Sequence, residues 1–248
     1  MPTPFTHLAS AQRLLDDEGW SAPGRAFLRA HAAAFLLGSI AADGHACSDL
    51  RREDTHFYTY DRPITTPPAA VMLSRYPVLL APVSAGQRAF VAGYVGHLAL
   101  DELWTERVTR PYFIEPAWGS SAERLLMINV LLAGMDERDR HLLRPELMAA
   151  LPGAVPANWL PFLPDSALIA WRDQIAVQLE PGAPSQTLPI VSSRTGVPVE
   201  ELRSLIHSEE AQNTRLWAHV PRAVVIETEA RMQDTVREQV ASYLDGVS

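Results

Sequence analysis

The sequence predicts an all-α fold in one multi-helix domain, residues 1–248. Three observations carry that expectation. Apolar residues recur at helical spacing along nearly the whole chain, and only "TLPIV" reads as a strand. Hydrophobic residues make up 47% and charged residues 20%, a globular balance with length enough for a sizeable core. Ser, Thr, Asp and Pro fall where helices start.

Thr6 is placed to cap a helix through Leu8, Ala11, Leu14 and Leu15. A second helix, 23–42, is apolar on most sides and so central. From Asp43 to about Ser84 the chain turns polar, aromatic and Pro-containing, without a period: "DGHACSDLRREDTHFYTYDRPITTPP". A long irregular loop inside a compact domain is usually functional. Regular structure resumes at Ala85 and runs to Arg110, where Pro111 is expected to stop it. Ser120 or Ser121 starts a helix through Ala133, and Asp136 caps another to about Leu151. "LPGAVPANWLPFLPD" is a loop anchored by Trp159 and Phe162, followed by a helix over 166–179. Pro198 and Pro221 suit the first turns of two last helices, the final one spanning 222–245 with a charged face.

The net charge is −8 and no basic block exists, which argues against a nucleic-acid partner. "VSSRTGVPVEELRSLI" reads like part of a helix-turn-helix, but Glu200 and Glu201 stand where a recognition helix needs basic residues. Cys47 is the only cysteine, so no disulfide forms within the chain, in keeping with a reducing compartment. The start, "MPTPFTHLASAQRLLDDEGW", lacks the pattern of a secretory signal. The longest apolar run, "AAAFLLGSIAA", is about half of what a membrane helix needs. A cytoplasmic protein without stable membrane insertion is expected; its oligomeric state is open.

Five of the eight histidines precede Asp101. His97 and Asp101 lie four apart in "GYVGHLALDELW" and share one helix face, so one ion can touch both. Two polar side chains in such apolar surroundings cost several kcal/mol unless they find strong partners. A metal is such a partner, and imidazole with carboxylate is a usual zinc donor set. Asp43 ends the apolar helix, and the irregular 43–84 segment supplies further donors. His31 lies more than three turns before Asp43 and reads as a packing residue. His45 either enters the site or faces solvent.

"AFLLGSIAADG", then "RREDTHFY", then "FVAGYVGHLALDELW" resembles the zinc-dependent phospholipase C family of all-α hydrolases, over about residues 5–110. The resemblance implies that Asp43, His56, His97 and Asp101 hold one zinc ion tightly. It implies that Asp101 also bridges to a second, weaker ion shared with His7. Family members complete that second site with an N-terminal Trp, where this chain has Met1-Pro2. They also carry further His and Glu ligands for a third ion; here His141 and Glu146 are five apart rather than four, and no third ion is expected.

Arg51, Arg52 and Tyr58 surround His56 and suit a phosphate-bearing substrate, a small molecule or a lipid. The expected function is metal-dependent hydrolysis of a phosphoester by metal-activated water, with Asp43 or Asp54 accepting its proton. The alternative is a helical binding or interaction protein that retains the metal core without turnover.

Overall fold

The computed structural model describes residues 2–116 and 118–247. The helices are α1 (Pro4–Asp16), α2 (Ala22–Ala30), α3 (Ala32–Ile40), α4 (Arg52–His56), α5 (Pro68–Arg75), α6 (Ala85–Trp104) and α7 (Ser121–Leu142). They continue with α8 (Pro145–Met148), α9 (Asp165–Leu179), α10 (Thr187–Thr195), α11 (Val199–His207), α12 (Glu209–Gln212) and α13 (Arg222–Gly246). A 3-10 segment, Ala41–Cys47, extends α3, and two wider π-helical segments, Thr105–Ile114 and Asn213–Trp217, extend α6 and α12. No strand occurs among the described residues, and the fold is all-α.

The centre is the crossing of α3 and α6. A Cβ on Gly38 would lie 1.9 Å from Phe90 O, and one on Gly93 would lie 2.3 Å from Phe35 O. Only glycine lets the two backbones meet this closely. Gly93, His97 and Asp101 follow at four-residue spacing, so the face of α6 that touches α3 also carries the His and the Asp. On the other side α13 packs Val236 and Val240 over Gly96. Ser84 and Ser120 accept hydrogen bonds from Gln87 N and Glu123 N and so start α6 and α7.

Several boundaries differ from the sequence expectation. The apolar helix expected over 23–42 breaks at His31, and its two parts are turned by 88°. His31 leaves helical geometry (φ −120°, ψ 33°) and packs on Phe27. Thr3 rather than Thr6 stands at the cap of α1, with Pro4 in the first turn, where a missing N–H costs nothing. Segment 43–84 is not aperiodic; it contains α4 and α5. Pro111 does not stop the helix, because the turn has widened to π geometry, which relieves the clash of its ring with the preceding turn. Asp136 does not start a helix of its own: α7 runs straight through it, and its buried carboxylate accepts the hydroxyls of Thr3 and Thr187 and the backbone N–H of Phe5 in the first turn of α1. "TLPIV" opens α10, with Pro189 in a first turn that needs no N–H from it.

No single helix among the described residues is long and apolar enough to cross a membrane, and most of α3 is buried in the core.

Candidate metal centre

His7 from α1, Asp43 from the 3-10 segment, His56 from the end of α4, and His97 and Asp101 from α6 meet in the core. His56 and Asp101 are fully buried, His7 and His97 nearly so, and Asp43 is partly open. The Nε2 atoms of His56 and His97 each lie 3.5 Å from Asp101 Oδ2, and His56 Nε2 is 3.5 Å from Asp43 Oδ1. The other Asp101 oxygen, Oδ1, faces His7 Nε2 at 3.4 Å. His7 and His97 stack at 3.7 Å between ring centres.

Local structure aims these nitrogens. His97 Nδ1 donates to Ser39 O at 2.9 Å, and His56 Nδ1 donates to Arg52 O at 3.1 Å. A carbonyl can only accept, so each Nδ1 carries the proton and each Nε2 turns a lone pair inward. Tyr94 in turn fixes the α4 backbone through Thr55 O at 2.8 Å. Phe57, the residue after His56, adopts a left-handed conformation (φ 63°) that ends α4 and sends the chain away.

Three histidine Nε2 atoms and both Asp101 oxygens are buried with no hydrogen-bond partner. Buried polar atoms are rarely left so. Separations of 3.4–3.5 Å are long for hydrogen bonds, which cluster near 2.9 Å. They match the edges of a tetrahedron around an ion with bonds of about 2.0–2.1 Å, which measure about 3.3–3.4 Å. Two overlapping groups, His7 with His97 and Asp101, and Asp43 with His56 and His97, each bring their ligand atoms within 4.8 Å of one another, so the cluster can hold a metal.

The electrostatics agree. Burial pushes His56 down to about 4, only partly offset by Asp43. Burial and the neighbouring His97 also lower His7. Burial opposes ionisation of Asp101, but His97 and His7 outweigh it and hold the carboxyl well below its usual range. Burial likewise opposes ionisation of Asp43, and His56 and His97 overcome it. Burial opposes protonation of His97, but Asp101 and Asp43 outweigh it and raise its pKa, so a metal bound there would displace a proton from His97 while meeting lowered His7 and His56 and ionised carboxylates.

Arg52 and His56 are four apart and share the inner face of α4. The Arg52 guanidinium stacks between the rings of Tyr58 and Tyr60 at 4.5 and 4.4 Å. It donates to Tyr58 Oη at 2.6 Å and lies 3.7 Å from Asp101 Oδ2. Arg51 and Asp54 lie off that face and do not reach the cluster. Arg51 is exposed and pairs with Glu53 and Asp54. The Asp54 carboxylate accepts from Arg51 N at 3.1 Å, which caps α4. Asp54 is thus occupied at a helix end, away from the cluster that Asp43 joins. His45 points its Nδ1 at Ala42 O, 3.0 Å away, and sets its ring edge-on to His56.

Sequence reasoning had no signal for Ser39 O, a backbone atom, or for Tyr60 beyond its place in "FYTY". Asp43, His45, Arg52 and Tyr60 form one end of a cavity of about 640 Å³ that continues between α1, α7, α9 and α10. Comparison with protein-family models, with curated proteins and with solved structures finds no match.

Proposed function

We propose that the protein is a zinc-dependent hydrolase of phosphoesters, similar to the zinc-dependent phospholipases C, acting on a small-molecule or lipid substrate in the cytoplasm. The observation that carries this reading is the convergence of buried, unpartnered imidazole and carboxylate atoms at tetrahedral edge lengths. An ion held there polarises a phosphoryl oxygen and lowers the pKa of a bound water. The chain's own residues do the rest. Asp43, partly open to the cavity, accepts the water's proton. Arg52, held flat by Tyr58 and Tyr60, presents fixed positive charge to a phosphate oxygen. Ser39 O and Arg52 O hold the imidazoles in one tautomer and orientation.

A catalytic site differs from a structural one in keeping an open coordination position. The Asp43, His56 and His97 group brings three donors, which leaves a fourth position for water, and the cavity lined by Asp43 gives it access; this supports turnover over a purely structural ion. The test is release of nitrophenolate from bis(4-nitrophenyl) phosphate by protein stripped of metal and reloaded with zinc. Activity should return with zinc. His97→Ala and Asp101→Ala should lose more than the roughly 10–100-fold expected for a residue that only orients a ligand. A zinc-loaded protein that turns over neither this diester nor the corresponding monoester would overturn the hydrolase reading and leave a metal-binding protein.

A further inference from the structure

The cavity that begins at the metal centre changes character along its length. At the Asp43–Arg52 end it is polar. Beyond Tyr60 its walls are Phe5, Phe113, Ile128, Leu132, Trp171 and Ile175, all buried among the core residues. These come from α1, α7, α9 and the π-helical segment, and none of them serves the cluster. Ile114, Leu125 and Ile190 also line the cavity and are 40–46% exposed, large apolar side chains left facing water. Among the polar residues of the lining, Thr109 stands out. Thr109 Oγ1 lines the cavity, is 95% buried by its residue's accessibility of 5%, and has no hydrogen-bond partner. It sits in the π-helical continuation of α6, a distortion often found at functional sites. The lining holds three arginines, Arg52, Arg124 and Arg194, and a single acid, Asp43, which belongs to the metal centre. A volume of about 640 Å³ is that of a small-molecule site, which typically spans roughly 300–1,000 Å³.

We propose that this cavity is the tail-binding arm of the metal centre and that the substrate is a monomeric phosphoester carrying one aliphatic chain, with its phosphate beside Arg52 and its chain between α1, α7, α9 and α10. The inference rests on the metal-centre reading and adds the substrate class to it. A cavity of about 640 Å³ that must also hold the phosphate has room for one chain of moderate length, drawn in as a single molecule rather than read at a bilayer surface. Thr109 Oγ1 provides a hydrogen-bonding partner for an ester, ether or hydroxyl near the head of the chain.

The test is calorimetric titration of hexyl, octyl and decyl phosphate, each as monomer, and of inorganic phosphate, into zinc-loaded and metal-stripped protein. Affinity should rise about fourfold per added methylene as each CH₂ leaves water. Removal of zinc should weaken every member of the series by one common factor. Ile190→Glu, at an exposed position of the lining, should bring decyl phosphate down towards hexyl phosphate without unfolding the protein. A flat series in protein that still binds zinc and phosphate would overturn the tail arm and leave the metal centre intact. A steep series with equal affinities in zinc-loaded and stripped protein would overturn the link between cavity and metal. A nucleoside monophosphate binding as tightly as decyl phosphate would overturn the aliphatic assignment. Co-sedimentation with phosphatidylcholine vesicles would overturn the monomeric one. Failure of the metal reading is separately visible, as no heat on zinc titration.

Discussion

His7 and Asp136 are two buried residues with different work. Asp101 Oδ1 meets only His7 within the cluster, while Oδ2 meets His56 and His97. His7→Ala should therefore remove a second, weaker zinc and leave the tight one, read as stoichiometry in a zinc titration; unchanged stoichiometry would show that His7 only stacks on His97. Asp136 is far from the metal in role. Burial pushes its carboxyl up to about 6, against the hydroxyls of Thr3 and Thr187. The folded chain thus holds the proton more tightly than the unfolded one, whose value is near 3.8. The stabilisation is complete below about pH 4 and is lost as pH rises through about 6, at most about 3 kcal/mol. Asp136→Asn should abolish that slope in denaturant unfolding followed from pH 4 to pH 7; a variant with the parental slope would place the titration elsewhere. The cluster was largely legible at this scale because His97 and Asp101 declare themselves by spacing. Asp54 was misleading, because a capping carboxylate and a catalytic one look alike until the helix face is known.

At the scale of elements, the glycines of the α3–α6 crossing decide whether the site forms. A methyl on Gly93 meets backbone, Phe35 O at 2.3 Å, and backbone cannot rotate away. Gly93→Ala should cost at least about 1–3 kcal/mol by overpacking and should weaken zinc binding as His97 and Asp101 shift with α6. Gly134 is the internal control. Its Cβ, within α7, would meet only Ile206 Cγ2 of α11 at 3.6 Å, an ordinary contact. Gly134→Ala should stabilise by roughly 0.5–1 kcal/mol, since alanine suits a helix interior better. Thermal or denaturant unfolding of both variants checks the pair, and equal effects would mean that the close crossing is not decisive. Helix identities could be read from periodicity, but breaks without Pro or Gly could not. Nothing in the apolar run around His31 announces an 88° turn, and Pro111 signals a stop that a π turn avoids. Asp136 looked like a cap because its true partners, Thr3 and Thr187, are 133 and 51 residues away.

For the whole molecule, four elements distant in sequence are held together by one cluster of charges buried in the core. Unfolding must take that cluster apart, so metal and fold are coupled: zinc at a hundred times its dissociation constant should raise stability by about 2.7 kcal/mol. His97→Ala and Asp101→Ala should forfeit this gain while differing little from the parent after chelation; equal melting of variants and parent in excess zinc would show that neither side chain is a ligand. The cavity walls come from residues over a hundred positions apart, which is why no sequence pattern revealed them. The most direct measurement is calorimetric titration of zinc into the metal-stripped protein, beside Asp101→Ala. The arrangement of Asp43, His56, His97, Asp101 and His7 predicts one tight site and one weaker one in the parent, with the tight site lost or severely weakened in the variant. No binding heat in the parent, or the same tight site in Asp101→Ala, would contradict it.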